Sequence, residues 1–291
     1  MKIAAVVILY HPTEDAISNI KTYYDWVDKL FVIDNTETKS LIQDDLSQLP
    51  KVSLFHDFEN GGIAKRLNAA CRLAIGEQFD WLLTMDQDTS FEVSTISAYL
   101  ECFNEYKGKE EVAMFGTKFS RHDQPISDDC ASVRAEKLIT SGSLLNVSLY
   151  EKIGGFDEQL FIDGVDYDYC FRAQMAGYPV VQFPNIYIRH TVGNEVYRSS
   201  IKTLFLLKKK KEIHSALRCY YMYRNMLYLE EKYKGKDKMY SKQIRGYVLS
   251  RVKVTLLYGR NTRKILQYLK LAKSDFKNNR MGKITNDRVV P

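Results

Sequence analysis

The sequence predicts an α/β fold: a doubly wound, mostly parallel sheet over residues 1–195, followed by a helical, basic C-terminal region over 196–291. Three observations carry that prediction. Short β-branched runs alternate with helical patterns through the first two-thirds of the 291 residues. Polar residues stand where successive apolar runs end, which is where an open sheet collects its ligands. The charge also divides: residues 1–196 hold 17 Lys/Arg against 30 Asp/Glu, a net −13, whereas 197–291 hold 25 against 6, a net +19.

The elements follow in order. Ile3–Leu9 and 30–33 are apolar runs of the kind that fill parallel strands covered on both faces. Between them, 13–27 carries Ile17, Ile20, Tyr24 and Val27 at helical spacing. Val52–His56 reads as a third strand, and 63–75 as a helix with Ala64, Leu67, Ala70, Cys71 and Ala74 on its apolar face. That helix leads into 79–85 (FDWLLTM), a buried strand that stops abruptly at Asp86-Gln87-Asp88. Next come a helix over 95–106, a strand over 112–115, a mobile polar loop over 120–129, and the turn Ser141-Gly142-Ser143 before Leu144-Leu145. A short helix, Val147–Ile153, is closed by Gly154-Gly155, and strands at 178–183 and 186–190 complete the alternation. From Val196 onward only helices are expected. One of them, 241–258, lines up Ile244, Val248, Val252 and Leu256, with Arg245, Arg251 and Lys253 off that stripe.

Composition narrows the classes. Hydrophobic residues make up 45% of the chain, enough for a substantial core. The five cysteines are scattered with no CxxC pair, so neither a disulfide framework nor a zinc cluster is expected, and a reducing cytosol fits. Ile3–Leu9 is too short for the apolar core of a secretion signal, and no stretch has the length of a membrane-spanning helix.

Four strand ends converge on one rim: Tyr10-His11-Pro12, Asp34-Asn35-Thr36, Asn60-Gly61-Gly62 and Asp86-Gln87-Asp88. Two carboxylates as close as Asp86 and Asp88 repel unless a hard divalent cation, Mg²⁺ or Mn²⁺, lies between them, and such a cation completes its shell with phosphate oxygens. A carboxylate such as Asp34 can accept the imide N–H of a pyrimidine, and paired glycines let backbone approach a nucleotide. Taken one at a time, these are equally a solvated turn, a turn starter and a helix entry. Further on, Asp163, Asp166 and Asp168 fall within six residues, with Arg172 one turn later. An acid at the mouth of a helix can serve as a general base toward a hydroxyl, or simply cap the helix.

The segments VVILYHP, VIDNT, NGGIAKRLN, TMDQD and GGFDEQLFIDGVDYDYCFRAQMAGY together resemble the inverting family 2 glycosyltransferases, which have the GT-A nucleotide-sugar-binding fold. The resemblance covers about residues 1–195 and is nearest to rhamnosyltransferase-like members, in which a His-x-x-Gly follows, here His190-Thr191-Val192-Gly193. It implies that Asp34 reads the base and that Tyr10, Pro12, Asn60, Gly62, Asn68 and Arg172 line the nucleotide pocket. It further implies that Asp86 contacts ribose or metal, Asp88 and His190 hold the metal, and Asp166 is the base. Many members have Glu-Asp where this chain has Val165-Asp166. The implied reaction moves a sugar, rhamnose from dTDP-rhamnose or another from a UDP-sugar, to a hydroxyl of a polyprenyl-linked saccharide in cell-surface polysaccharide synthesis. The absence of QxxRW argues against a processive synthase.

The basic region holds four consecutive lysines, Lys208 to Lys211, and a segment that interleaves cations with four tyrosines, RCYYMYRNMLYL at 218–229. Both suit an anionic membrane surface and a peripheral site on its cytoplasmic face. Tyr220, Tyr221, Arg224 and Asn225 could instead line the acceptor site. Nucleic acid ranks well below lipid because no recognised binding motif is present, and a homodimer stays open. Two other enzymes compete. A haloacid dehalogenase-like phosphatase would use Asp86-Gln87-Asp88-Thr89-Ser90 as a nucleophile loop, but it needs that loop on its first strand and a later GDxxxD. A nucleotidyltransferase would need a Gly-rich basic loop after Ile3–Leu9, where Tyr10-His11-Pro12-Thr13 stands.

Overall fold

The computed structural model describes residues 1–120, 129–190, 195–199 and 208–290. They form two compact units, 1–158 with 165–191 and 159–164 with 192–291. The segment 159–164 therefore packs with the second unit, although it lies inside the predicted first domain.

In chain order the first unit contains β1 (Ile3–Leu9), α1 (Asp15–Tyr24), β2 (Lys29–Asp34), α2 (Gln43–Ser47), β3 (Val52–His56), α3 (Ile63–Gly76), β4 (Trp81–Asp86), β5 (Thr89–Ser90) and α4 (Val93–Glu105). It continues with β6 (Met114–Ser120), β7 (Val133–Arg134), β8 (Ser143–Asn146), α5 (Val147–Ile153), α6 (Val165–Met175) and β9 (Val180–His190). The sheet runs β3-β2-β1-β4-β8-β6-β9-β5, with β7 beside β9. The β3-β2-β1-β4 half is parallel, as its apolar strands require: every residue of β1 is buried, and helices must cover both faces of such a strand. β8 then enters antiparallel between β4 and β6, and β6 and β9 pair in parallel through a bulge between Gly116 and Lys118.

An aromatic nest fills the space between the sheet and α4. Trp81 and Phe103 meet edge to face at 4.8 Å between ring centres, and Phe115 stacks on Phe183 at 5.6 Å. Burying such rings contributes about 1.5–3 kcal/mol each. The Tyr99 hydroxyl, buried among them, donates to the carbonyl of Phe115 and accepts the N–H of Leu144, which ties α4 to both β6 and β8.

Cys102 and Cys130 form a disulfide, where the scattered cysteines gave no expectation of a disulfide framework. The two lie 28 positions apart, a spacing that carries no signal, and only the fold brings their Cα atoms to 5.0 Å. Cys71, Cys170 and Cys219 are free and buried. The loop expected over 120–129 lies largely outside the described residues.

The second unit departs from the all-helical expectation. It opens with a hairpin, β10 (Glu195–Ser199) paired antiparallel with β11 (Lys208–Glu212), before the helices α7 (Ala216–Lys232), α8 (Lys238–Tyr258) and α9 (Thr262–Lys277). The lysine run has neither helical periodicity nor apolar alternation to betray it.

The unit's core overturns the surface reading of 218–229. Phe161, Tyr220, Tyr221, Tyr268, Ala272 and Ile284 pack together, and Arg224 is 1% exposed, its guanidinium 5.1 and 5.2 Å from the ring centres of Tyr220 and Tyr221. Arg224 donates to the carbonyls of Arg280 and Gly282, to the Tyr220 hydroxyl and to Asn225 Oδ1. The Asn225 amide donates to the carbonyls of Leu160, Ile162 and Asp163, which is what holds 159–164 to this unit. Ile244, Val248 and Val252 are buried as well, so the amphipathic stripe of α8 faces protein and is not a free membrane-binding face. No helix among the described residues is long and apolar enough to cross a membrane.

Replacing Arg224 with Leu should therefore act on stability. Four acceptors lose their donor inside a packed core, at a cost of about 2–4 kcal/mol, and the melting temperature should fall by several degrees. An unchanged melting temperature combined with loss of acceptor binding would return Arg224 to a ligand site.

Candidate metal and nucleotide site

Register assembles the rim. In the parallel half of the sheet Leu9 lies opposite Asp34, Ile8 opposite Asp86, and Asp34 opposite His56, so the carboxyl ends of β1, β2, β3 and β4 finish side by side. The predicted convergence of these four strand ends is the observed arrangement.

β4 ends at Asp86, the chain turns through Gln87 and Asp88, and the two-residue β5 pairs Thr89 with His190 at the end of β9. The pairing carries His190 back over the carboxylates. One ligand atom each from Asp86, Asp88 and His190 falls within 4.8 Å of the others, and His190 Nδ1 lies 3.3 Å from Asp88 Oδ1. A buried hydroxyl couple braces the group from beneath. The N–H of Asp86 donates to Ser141 Oγ (3.0 Å), Ser141 Oγ and Thr89 Oγ1 are 2.9 Å apart, and Thr89 Oγ1 is 2.9 Å from His190 Nδ1. Gln87 ties the turn to the end of β1: its Oε1 accepts the N–H of Tyr10 and its Nε2 donates to the Tyr10 carbonyl. Two carboxylates with one imidazole form a donor set that could hold Mn²⁺ or Mg²⁺. A third member of the cluster was legible only through the family likeness, because His190 lies 102 positions from Asp88 in sequence and close to it only in the fold.

The nucleotide side is more heavily braced than its motif suggests. Asp34 is fully buried, and its carboxylate accepts the N–H of Thr36 (3.0 Å), the Ser40 hydroxyl (2.6 Å) and Gln43 Nε2 (2.7 Å). Burial alone would push its carboxyl up, but these bonds outweigh it and hold the group below its ordinary value. Gln43 also reaches His56 Nδ1, and His56 Nε2 reaches the Thr36 carbonyl, so Asp34 organises the loop that follows β2. A pyrimidine reaching Asp34 would have to share it with these donors.

Asn35, Arg66 and Asp57 hold the Asn60-Gly61-Gly62 loop, a role their motifs did not announce. Asn35 Oδ1 accepts the N–H of Gly61 and Arg66 Nε, while Asn35 Nδ2 donates to Asn60 Oδ1. Arg66, 6% exposed, grips Asp57 through both terminal nitrogens at 2.7 and 2.6 Å. Gly62 sits at φ +81°, a left-handed conformation that suits glycine and starts α3.

Two residues assigned to the pocket do different work. Asn68 is buried; its carbonyl oxygen accepts the Tyr150 hydroxyl and the N–H of Phe156, and its amide donates to the Phe156 carbonyl and Glu158 Oε1. All four of its hydrogen-bonding positions are thus used, three of them on the Gly154–Glu158 turn and one on Tyr150 of α5. Arg172 bonds Asp168, which has no exposed side-chain surface, and the carbonyls of Ile153 and Gly155, fastening α6 to the end of α5. Spacing could not separate these braces from ligand contacts, since both need the same polar side chains.

Of the three clustered acids, Asp163 pairs with Arg218 at 3.0 Å and Asp168 with Arg172 at 2.8 Å. Asp166 is partly exposed in the first turn of α6, where its Oδ1 accepts the N–H of Tyr167. Tyr10 is 43% exposed at the end of β1 with its ring against His11. Thr191, Val192 and Gly193 of the His-x-x-Gly segment lie outside the described residues.

Asn68→Ala should cost about 2–4 kcal/mol of stability by stranding the turn's polar groups. Nucleotide affinity measured below the melting transition should stay near wild type. Weakened nucleotide binding in a variant of unchanged melting temperature would restore Asn68 to the pocket.

Comparison with known proteins bears on the fold. No family model matches the chain. It is 26% identical over 285 residues to the dTDP-rhamnosyl transferase RfbF of Shigella flexneri, covering 92% of both chains. Among solved structures it is similar to S. aureus TarS 1–349 in complex with UDP-GlcNAc, with a TM-score of 0.58 at 13% identity, over 95% of this chain and 80% of that one. It is also similar to GalNAc-T7 with UDP, GalNAc and Mn²⁺, with a TM-score of 0.54 at 10% identity, over 65% of this chain and 44% of that one. The chain thus spans less than half of GalNAc-T7, and it spans 49% of the longer TarS structure. The fold is GT-A, and the chain is a glycosyltransferase similar to family 2 and to its rhamnosyltransferases.

Proposed function

We propose that this glycosyltransferase is inverting, metal-dependent and non-processive, and that it moves rhamnose from dTDP-rhamnose to a hydroxyl of a lipid-linked saccharide in polysaccharide synthesis. The convergence of Asp86, Asp88 and His190 on the rim beside Tyr10 and Asp34 is the observation that supports it most. The donor identity draws on the likeness to RfbF over 92% of the chain.

Asp86, Asp88 and His190 would hold Mg²⁺ or Mn²⁺, whose chemistry there is to neutralise charge developing on the leaving diphosphate. The rest is done by the chain's own groups. The loop after β2 and the Asn60-Gly61-Gly62 backbone cradle the nucleotide. Asp166, at the start of α6, takes the proton from the acceptor hydroxyl. The freed oxygen attacks the anomeric carbon on the face opposite the nucleoside diphosphate, the glycosidic bond to that diphosphate breaks, and configuration inverts. Incubation with dTDP-rhamnose and with UDP-sugars, followed by detection of released nucleoside diphosphate and of the product's anomeric configuration, tests the reading; a retained configuration or a donor preference for a UDP-sugar would refute it.

Thr89→Val keeps shape but breaks the hydroxyl couple beneath His190. Affinity for Mn²⁺, read from the spin-resonance signal of free ion, should fall about 10–100-fold, and Thr89→Ser should restore it. Wild-type Mn²⁺ binding in the valine variant would reduce the couple to packing.

Asp166→Asn should leave donor binding intact and lower turnover by about 10²–10⁴-fold. A near-normal rate with a lowered melting temperature would make Asp166 a helix-start residue instead.

A further inference from the structure

At the β3 end of the rim an aromatic side chain stands where folding alone gives no reason for it. Phe58 lies in the loop between β3 and Asn60 and is 62% exposed. Its φ is +60°, in the left-handed region that glycine takes freely and a bulky aromatic residue rarely enters. Exposed apolar surface and a strained backbone both oppose folding, and such a conformation persists only where its surroundings impose it.

The surroundings do impose it. Asp57 is gripped by both terminal nitrogens of the buried Arg66, and its Oδ1 also accepts the N–H of Glu59, so the residues on either side of Phe58 are tied together. Arg66 donates to the Glu59 carbonyl as well. The Phe58 ring rests on His56, with 4.1 Å between ring centres and 38° between planes. His56 is fixed in turn: Nδ1 accepts from Gln43 Nε2 at 2.9 Å, and Nε2 donates to the Thr36 carbonyl at 2.8 Å. Gln43 Nε2 also bonds the Asp34 carboxylate. Asp34, Gln43, His56 and Phe58 therefore form one braced assembly, of which the Phe58 ring is the most exposed member.

Position along the rim selects the ligand. The candidate metal ligands Asp86 and Asp88 lie at the end of β4, and β3 is three strands away in the order β3-β2-β1-β4, about 14 Å at ordinary strand spacing. A nucleoside diphosphate laid along the rim with its phosphates at the cation brings its base to the β2 and β3 ends. A base has two flat faces, and a fixed, exposed ring beside a buried carboxylate is a surface on which one can stack.

We propose that Phe58 is a base-stacking residue of the donor site, and that the nucleotide base lies against its ring beside Asp34. The inference rests on the reading of the rim as a nucleotide-sugar site.

Calorimetric titration of the full chain with dTDP and with pyrophosphate, each with Mg²⁺, tests it, because pyrophosphate keeps the phosphates and lacks the base. Phe58→Gly removes the ring and relieves the backbone, so the melting temperature should not fall. Its affinity for dTDP should drop by about fivefold to a hundredfold, the range for losing one base–aromatic stack, while its affinity for pyrophosphate should hold. Phe58→Tyr, which keeps the ring, should bind dTDP as the wild type does. Unchanged dTDP affinity in the glycine variant, with or without a lowered melting temperature, would overturn the stacking role, and so would an equal loss for both ligands. Wild-type protein that fails to bind dTDP at all is a separate outcome: it would refute the nucleotide reading of the rim, and this inference with it.

Discussion

The candidate metal site depends on a single short pairing, that of β5 with the end of β9. Without it, Asp86 and Asp88 would be two like charges at the tip of a strand, held close by chain connectivity alone. With it, His190 arrives beside Asp88, and Thr89 is buried between them in contact with Ser141. Two hydrogen-bonded residues are too few to hold a strand in water, so the pairing relies on what surrounds it. Phe91 is buried immediately beyond β5, and its N–H donates to Thr22 of α1. Gly142 brings the Ser141 turn so close to β9 that a Cβ there would lie 2.4 Å from the Ile188 side chain. Core packing and a glycine contact thus convert a weak local ladder into a fixed ligand set.

The second unit solves a different problem, that of folding a chain segment of net charge +17. It does so by separating charge from core. Among the described residues the helix lysines stay partly or fully exposed, whereas Arg224 is taken inside, where tyrosine rings and backbone carbonyls satisfy it. A guanidinium tolerates this better than an ammonium because its planar face stacks on aromatic rings and it is more weakly hydrated. Asn225, next in sequence, holds the 159–164 segment, so adjacent residues organise two sides of the same core.

Much of the fold was legible because the parallel strands are buried on both faces and leave continuous apolar runs. β1, β3, α3 and α5 fall at or within a residue or so of their expected bounds, and the abrupt end of β4 at Asp86 marked the candidate metal site. The hairpin of β10 and β11 was not legible, since a lysine strand has neither apolar alternation nor turn chemistry of its own. Asn68 and Arg172 were misplaced for a related reason: a polar residue beside a motif serves ligand or backbone equally well, and only its bonded partners distinguish the two.

By itself the sequence determined which strands are buried, where their polar ends fall and how charge divides along the chain, because each of these is a property of neighbouring residues. Only the tertiary structure decided which distant groups meet. It joined His190 to the carboxylates, Cys102 to Cys130, and Asn225 to 159–164, and it turned Tyr220 and Tyr221 of α7 and Ile244, Val248 and Val252 of α8 inward. Amphipathic periodicity says that a face must be covered but not by what, and contacts between residues far apart in sequence are set by packing and register, which leave no local trace.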